Sequence, residues 1–468
     1  MKNRVLVAHS YFLQYDEKQR QRMKPYPPLA TLLVAAGLRQ HGYDVTLFDA
    51  MLSAGTEDFD ALLGSTLPHA VVIVEDNFNF LTKMCTLRMR EAALDMVRNA
   101  TRIGCPVVVN GSDAADCPEL YLAAGASAIV LGDPDQAVLE VVDAIFAGAP
   151  VLSEIEGLVL PDRRTARRLP LRELDRLPPP AWDLVDLERY RSAWQRAHGR
   201  FSLNLVASRG CPYGCNWCAK PLFGRGYAQR SAESVALELA YLKRLARPDH
   251  IWFADDIFGL TADWLEEFAR HVHRYDAIVP FMIQSRVNLM TPRAVAALRA
   301  AGAEEVWLGV ESGSQKILTA MEKGTRVEQV RSASATLTEH GIRACWFIQL
   351  GYLSEEWDDI LATRDLIREG APHDIGVSVA YPLPGTKFHE LVRAQLGERR
   401  NWQHTDELAV LFHGTFSTDF YRHVRDLLHD EVRIPLAQRD RATLDARWQE
   451  LADRADASRN GELSIAGD

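Results

Sequence analysis

The sequence predicts an α/β protein built on two successive parallel sheets, followed by a small, mainly helical C-terminal region. Three observations carry this reading. Short apolar, often β-branched runs alternate with helical patterns five times across residues 1–150. The same alternation resumes six times between 203 and about 395. Between the two stretches, 151–200 has the proline- and arginine-rich composition of a connector. A chain of 468 residues has room for two or three domains with full cores.

In the first half the strand candidates are 5–8, 45–48, 70–74, 107–109 and 128–131, with helices at about 29–41, 57–64, 86–101, 116–124 and 135–147. Five such β/α units imply a parallel sheet covered on both faces, a Rossmann-like, flavodoxin-like arrangement whose ligands sit outside the C-terminal strand ends. The loops at those ends are 9–26, 75–78, 110–113 and 132–135. In the connector, 156–162 and the arginines that follow read as a small hairpin, and 174–183 as a proline-stiffened strap.

In the second half the strands are 203–207, 251–254, 281–284, 306–310, 345–350 and 375–380. Helices fall at about 232–246, 261–273, 291–301, 326–340 and 354–368, with a shorter one from 387; Ser231, Thr261, Thr291 and Ser354 are the expected caps. Six units make three quarters of a closed eight-unit barrel, a partial (β/α)6 barrel with its chemistry at the C-terminal strand ends. The unusual residues fall there. Cys211, Cys215 and Cys218 follow the first strand, Asp255-Asp256 the second and Ser285-Arg286 the third. Glu311-Ser312-Gly313-Ser314 closes the fourth, Gly351 the fifth and Tyr381-Pro382-Leu383-Pro384-Gly385 the sixth.

Three cysteines in eight residues, spaced C-x3-C-x2-C in a loop bent by Gly210, Pro212 and Gly214, can converge on one metal centre. They are one thiolate short of a closed zinc site or a fully ligated cubane, so an iron-sulfur cluster held here keeps one iron open. A partial zinc site and three unrelated loop cysteines are the other readings. Cys85, Cys105, Cys117 and Cys345 are scattered and form no disulfide framework.

This spacing, with Trp217 just before the third cysteine, closely resembles the signature of the radical S-adenosylmethionine (SAM) superfamily. The resemblance implies a [4Fe-4S] cluster on Cys211, Cys215 and Cys218, with Trp217, Asp255, Asp256, Ser285, Arg286, Glu311 and Gly351 around SAM. Asp255-Asp256-Ile257-Phe258 resembles the acidic motif placed near the methionine ammonium; a turn with a helix N-cap is the alternative reading. Arg286 would meet the SAM carboxylate. Gly309-Val310-Glu311-Ser312-Gly313-Ser314 resembles the family's G-x-E-S-G-S, with Glu311 toward the ribose or amine, and Met321-Glu322-Lys323-Gly324-Thr325 matches the segment that follows it. The sixth-strand turn resembles P-x-P-G-T.

The first half resembles the cobalamin-binding domain found ahead of many radical SAM domains, through Pro25-Tyr26-Pro27-Pro28-Leu29, Asn110-Gly111-Ser112 and Gly132-Asp133-Pro134-Asp135. Family members carry Gly-Gly and Gly-Glu-x-Glu at the last two places, and this chain lacks D-x-H-x-x-G. The implied corrin contacts are Tyr26, Asn77, Phe78, Gly111, Ser112, Gly132 and Asp133. Cobalt is expected without a histidine from that motif, with His9 alone on the correct side of the sheet and His69 on the other. A degenerate domain that only caps the site is the alternative.

Together these imply a cobalamin-dependent radical SAM enzyme with domains at 1–150, 151–200 (linker), 201–395 and 396–468, the last a possible cover over the substrate. The expected activity is C-methylation of a poorly activated carbon in a small organic substrate, through a 5'-deoxyadenosyl radical and methylcobalamin. A cyclase or oxidoreductase without methyl transfer, or a non-catalytic corrinoid- or metal-binding sensor, would use the same architecture. An electron donor such as flavodoxin or ferredoxin is implied.

The net charge of −10 argues against nonspecific nucleic-acid binding, and no polybasic patch or long apolar run predicts membrane insertion. A cytoplasmic location is expected. Near the C-terminus, Trp402, His404, Asp406, Glu407, Phe412, His413, Phe416, Phe420, Tyr421 and His423 form an aromatic, histidine-rich patch suited to an organic substrate, although two or three of them read equally as ordinary core.

Overall fold

In the computed structural model, residues 3–75, 86–148, 151–218, 226–397, 408–433 and 441–459 are described. Asn77, Phe78, Cys85, Trp402, His404, Asp406 and Glu407 lie outside them.

The first sheet contains β1 (Arg4–Ala8), β2 (Asp44–Phe48), β3 (Ala70–Val74), β4 (Val107–Asn110), β5 (Ala128–Val130) and β6 (Leu158–Val159), in the order β2-β1-β3-β4-β5-β6. β1 to β5 pair in parallel, and β6 adds antiparallel to β5. The 2-1-3-4-5 order is the flavodoxin-like one, with its switch point between β1 and β3. The central strands are buried on both faces, which is why β3 reads Ala-Val-Val-Ile-Val without alternation. The hairpin expected in the connector is therefore the sheet's sixth strand.

The connector also holds a helix, Leu187–His198, where an extended strap was expected up to residue 183 and no element after it. Asp186 caps it by accepting from the amides of Glu188 and Arg189, and Gly199 ends it at φ 66°. Its Tyr190 and Trp194 are buried against the first half.

The second sheet contains β7 (Ser202–Leu205), β10 (His250–Phe253), β11 (Phe281–Ser285), β12 (Ala303–Glu311), β13 (Arg343–Leu350) and β14 (Asp374–Val379), all parallel and in sequence order. Two further strands, β8 (Ser208–Gly210) and β9 (Tyr227–Gln229), pair antiparallel and straddle the cysteine loop. Ser231, Thr261 and Thr291 cap their helices as expected. Ser354 does not: the helix Trp357–Gly370 begins later and is capped by Glu356, while Ser354 sits at φ 65°.

One continuous apolar core joins both halves, from Val5 to Ala455. In the C-terminal region Phe412, Phe416, Phe420 and Tyr421 belong to that core, with Phe416 stacked on Phe420 and Phe412 edge-on to Phe388. His413 and His423 face outward, so the described part of the aromatic patch is mostly packing. No described helix is long and apolar enough to cross a membrane.

Candidate active site at the strand ends of the second sheet

Cys211, Cys215 and Cys218 lie half-buried in a loop that leaves β8 at Gly210. That loop is braced on several sides. Asn216, 7% exposed, donates its backbone N–H to Met321 O (3.1 Å) and its Nδ2 to Ala320 O (2.8 Å). It accepts from Tyr352 Oη (2.8 Å) at Oδ1 and from the Phe388 amide (3.0 Å) at its carbonyl. One side chain and its peptide thus tie the loop to three later segments, and each bond satisfies a group that burial would otherwise penalise.

The loop's stem is fixed by a buried ion pair. Arg209, two residues before Cys211, donates Nη1 to Asp133 Oδ1 (3.0 Å) and Nη2 to Asp135 Oδ1 (3.2 Å), across from the first half. All three groups are under 10% exposed. A buried guanidinium with two carboxylates and several hydrogen bonds is geometrically specific, because any slip leaves a charge uncompensated. Neither Arg209 nor Asn216 stands out in the sequence; each acts through partners that are remote in the chain.

At the end of β12 the pairing with β13 shifts register between Gly309 and Glu311, and Glu311 takes φ 68°. Such a bulge re-aims a side chain, and a left-handed non-glycine residue is held by its surroundings. The partner is Lys323, whose Nζ lies 2.5 Å from Glu311 Oε1, both groups under 10% exposed. A Cβ on Gly309 would sit 2.7 Å from that Nζ, so only glycine leaves the lysine its place. Lys323 Nζ also lies 5.9 Å from the centre of the Trp217 ring, next to Cys218. Ser314 donates to Asp359 (2.6 Å) and the Gly313 amide to Thr363 Oγ1 (2.9 Å), so this part of the motif anchors the helix Trp357–Gly370.

Asp255, 1% exposed, accepts from the Ala207 amide (3.0 Å) and Ser208 Oγ (2.5 Å), and burial pushes its carboxyl up to about 7. It braces the turn from β7 into β8, immediately beneath the cysteine loop, rather than pointing into an open site. Ser285 donates to Phe258 O at 3.4 Å. Gly351 donates to Glu355 Oε2 (2.7 Å), a carboxyl raised by burial to about 8, and lies against the ring of Tyr421.

Residues 205–367 match the model of the radical SAM superfamily. This span begins at the end of β7 and contains the cysteine loop, Asp255, Arg286, Glu311 and Gly351. Residues 205–367 therefore form a radical SAM domain. Among curated relatives, the chain is 28% identical over 305 residues to an uncharacterized methyltransferase of Pyrococcus horikoshii, covering 64% of this chain and 65% of that one. It is 26% identical over 281 residues to the anaerobic magnesium-protoporphyrin IX monomethyl ester cyclase of Rubrivivax gelatinosus, covering 58% and 49%. The chain thus spans about half to two thirds of the length of these relatives. Among solved structures it resembles the radical SAM methyltransferase TsrM of Kitasatospora setae with cobalamin and a [4Fe-4S] cluster bound, with TM-score 0.69, 19% identity and coverage of 86% and 76%. At that identity the likeness is one of fold, and it takes in both sheets.

Within the matched domain, three cysteines on one braced loop are a donor set that suits a cubane, in which each thiolate takes a different iron. Among the described residues no three His, Cys, Asp or Glu side chains form a group that would hold a single metal ion.

Several expected corrin contacts are placed elsewhere. Tyr26 is buried between Trp194 and Trp252 with its hydroxyl 3.2 Å from Ser202 Oγ, at the start of β7, so it wedges the two halves together. Asp133 is committed to Arg209 and to the Leu171 amide (2.7 Å). The Gly111–Ser112 turn holds Glu75, which accepts from the Ser112 amide (2.5 Å) and Ser112 Oγ (3.0 Å). Gly132 has open space where a side chain would be. His9 is fully buried with Nε2 2.9 Å from Asp49 at the end of β2, directed away from the β1/β3 switch point. His69 lies before β3, as expected.

Proposed function

We propose that the protein is a cobalamin-dependent radical SAM methyltransferase, C-methylating a poorly activated carbon of a small organic molecule. The observation that carries this reading is the Arg209 bridge, which fixes the strand-end loop of the flavodoxin-like sheet onto the stem of the cysteine loop. A corrin at the first sheet would then face a cluster at the second. In this reading residues 1–150 bind the corrin, 151–200 link, 201–395 form the radical SAM barrel and 396–468 cover the substrate side.

When bound, the cluster and SAM supply a 5'-deoxyadenosyl radical and the corrin supplies a methyl group. The chain's own residues position and enclose. Cys211, Cys215 and Cys218 would hold three irons of the cluster. Asn216 and Arg209 keep the loop from relaxing, which holds the reacting groups in register. Asp256, beside the braced Asp255, and Glu311 with Lys323 would present charge to bound SAM, and Trp217, Ser285 and Gly351 would line its site. Gly132 and the Gly111–Ser112 turn are the available backbone approaches for a corrin, the second requiring Glu75 to yield. A one-electron donor of the flavodoxin or ferredoxin type and a cytoplasmic setting belong to the same proposal.

The test is anaerobic reconstitution with iron, sulfide and hydroxocobalamin, then addition of dithionite and SAM carrying a deuterated methyl group. Expected are 5'-deoxyadenosine, S-adenosylhomocysteine and label on retained corrin. 5'-Deoxyadenosine without methyl label would support the ring-forming or oxidising chemistry, as in the relative named as an ester cyclase. Neither product would leave a non-catalytic sensor.

A further inference from the structure

Arg286 begins the turn after β11 and is 5% exposed. Each of its nitrogens is engaged. Nε donates to Asn288 Oδ1 (3.2 Å), Nη2 to the backbone oxygen of Lys323, and Nη1 to Cys215 Sγ (3.4 Å). The guanidinium carbon lies 3.8 Å from the centre of the Tyr213 ring, within the cysteine loop. Asn288 Nδ2 lies 3.4 Å from the Tyr213 hydroxyl and completes the clasp. Among the described residues, no carboxylate forms an ion pair with Arg286.

A buried guanidinium held by a thiol, an amide oxygen, a peptide oxygen and an aromatic face has no counter-charge among the described residues, an arrangement that burial penalises unless an anion joins it. The thiol at Nη1 stands where a cluster thiolate would be. The geometry points to Arg286 as a clamp on the cysteine loop that sets how readily the cluster accepts an electron. This rests on the cluster assignment and sets the cysteine loop, to which the guanidinium is already hydrogen-bonded and stacked, ahead of the expected contact with the SAM carboxylate.

The step is the gain of one electron by the oxidised cubane from a low-potential one-electron donor, with no bond broken and the core more negative by one charge. A cation donating a hydrogen bond to a ligating sulfur stabilises the reduced form more than the oxidised one, so it raises the midpoint potential. Arg286 positions and tunes; it need not touch substrate.

The experiment uses the full chain, wild type and the variants Arg286→Lys and Arg286→Met, reconstituted anaerobically. Iron is counted, and the reduced cluster is titrated by electron paramagnetic resonance without SAM. SAM affinity is measured separately. At fixed potential the Met variant is expected to hold about tenfold less reduced cluster, a midpoint about 59 mV more negative for one electron, with Lys in between. Iron lost from the Met variant and kept in the Lys variant, with the Lys midpoint lowered, also supports the clamp. Full iron loading and unshifted midpoints in both variants overturn it, and a loss of SAM affinity alongside would return Arg286 to the SAM carboxylate. A wild-type protein that forms no cubane fails the cluster assignment itself.

Discussion

Both sheets end in a glycine turn that receives a carboxylate, buried in one and half-buried in the other, and the two turns neutralise it differently. At the end of β12, Glu311 meets Lys323 at 2.5 Å, and Gly309 leaves the lysine room. At the end of β4, Glu75 meets, among the described residues, N–H and O–H donors of Ser112 and Asp113, with the Asp113 carboxylate nearby. The first acid is held as one half of a fixed ion pair. The second is pushed up to about 7 by burial and by Asp113, so it titrates near neutrality. The turn beside the cysteine loop is thereby closed by a salt bridge, whereas the turn proposed for corrin contact carries a group that can change charge and yield.

The largest effect separates the two halves outright. Cys215→Ala should abolish the cluster and SAM cleavage, since a cubane with two protein ligands is labile, yet corrin retention by the first sheet should persist. Iron content and the visible spectrum after gel filtration check both. Cys105→Ser, Cys117→Ser and Cys345→Ser should keep the cluster; its loss in those variants would show that cluster ligation has been misassigned.

Next is the fixed pair. Glu311→Gln leaves Lys323 buried without its counter-charge and should cost roughly 3–5 kcal/mol. Adding Lys323→Met should recover much of that loss. Unfolding followed by circular dichroism, with all four combinations compared, measures the coupling. Simple additivity would mean that the 2.5 Å contact carries no energy.

Asn216→Ala should be milder, on the order of 1–3 kcal/mol, because it removes the side-chain bonds to Ala320 and Tyr352 but keeps the two backbone bonds. It should also lower iron retention while the first sheet's spectrum stays unchanged. Normal iron content would show that the bracket on the loop is dispensable.

What was legible in the sequence follows from the same contrast. The strands of both sheets were readable because parallel strands buried on both faces leave continuous apolar runs, and Ser231, Thr261 and Thr291 announced their helices through local caps. Ser354 misled because a better-placed carboxylate, Glu356, caps two residues later. The helix Leu187–His198 went unseen although Asp186 and Gly199 bracket it, since the prolines before it suggested a strap. Arg209, Asn216 and Lys323 carried no local pattern. Lys323 sits inside the matched Met321–Thr325 segment, but nothing nearby says that Gly309 makes room for it. Tyr26 was assigned to the corrin because a strand-end loop fixes a side of the sheet and not the partner; its ring is buried against Trp252 of β10 instead.

The smallest effect tests the titrating turn. Glu75 has a folded-state pKa of about 7, above its ordinary 4.5, so the folded protein binds the proton more tightly than the unfolded chain. Its contribution to stability is then complete below about pH 4.5, declines as pH rises toward 7, and is lost above. Glu75→Gln keeps the shape but removes the charge, so the variant should gain on wild type as pH rises. Because Glu75 is only half-buried, the gain between pH 5 and pH 8 should be on the order of 1 kcal/mol. Asp255 and Glu355, raised to about 7 and about 8, slope the same way in both proteins and cancel in the difference. The comparison is the thermal midpoint of variant minus wild type at the two pH values, beside the same difference for Glu311→Gln. A Glu75→Gln difference that does not move with pH would remove the contrast between the two turns, because Glu75 would then keep one charge state across that range.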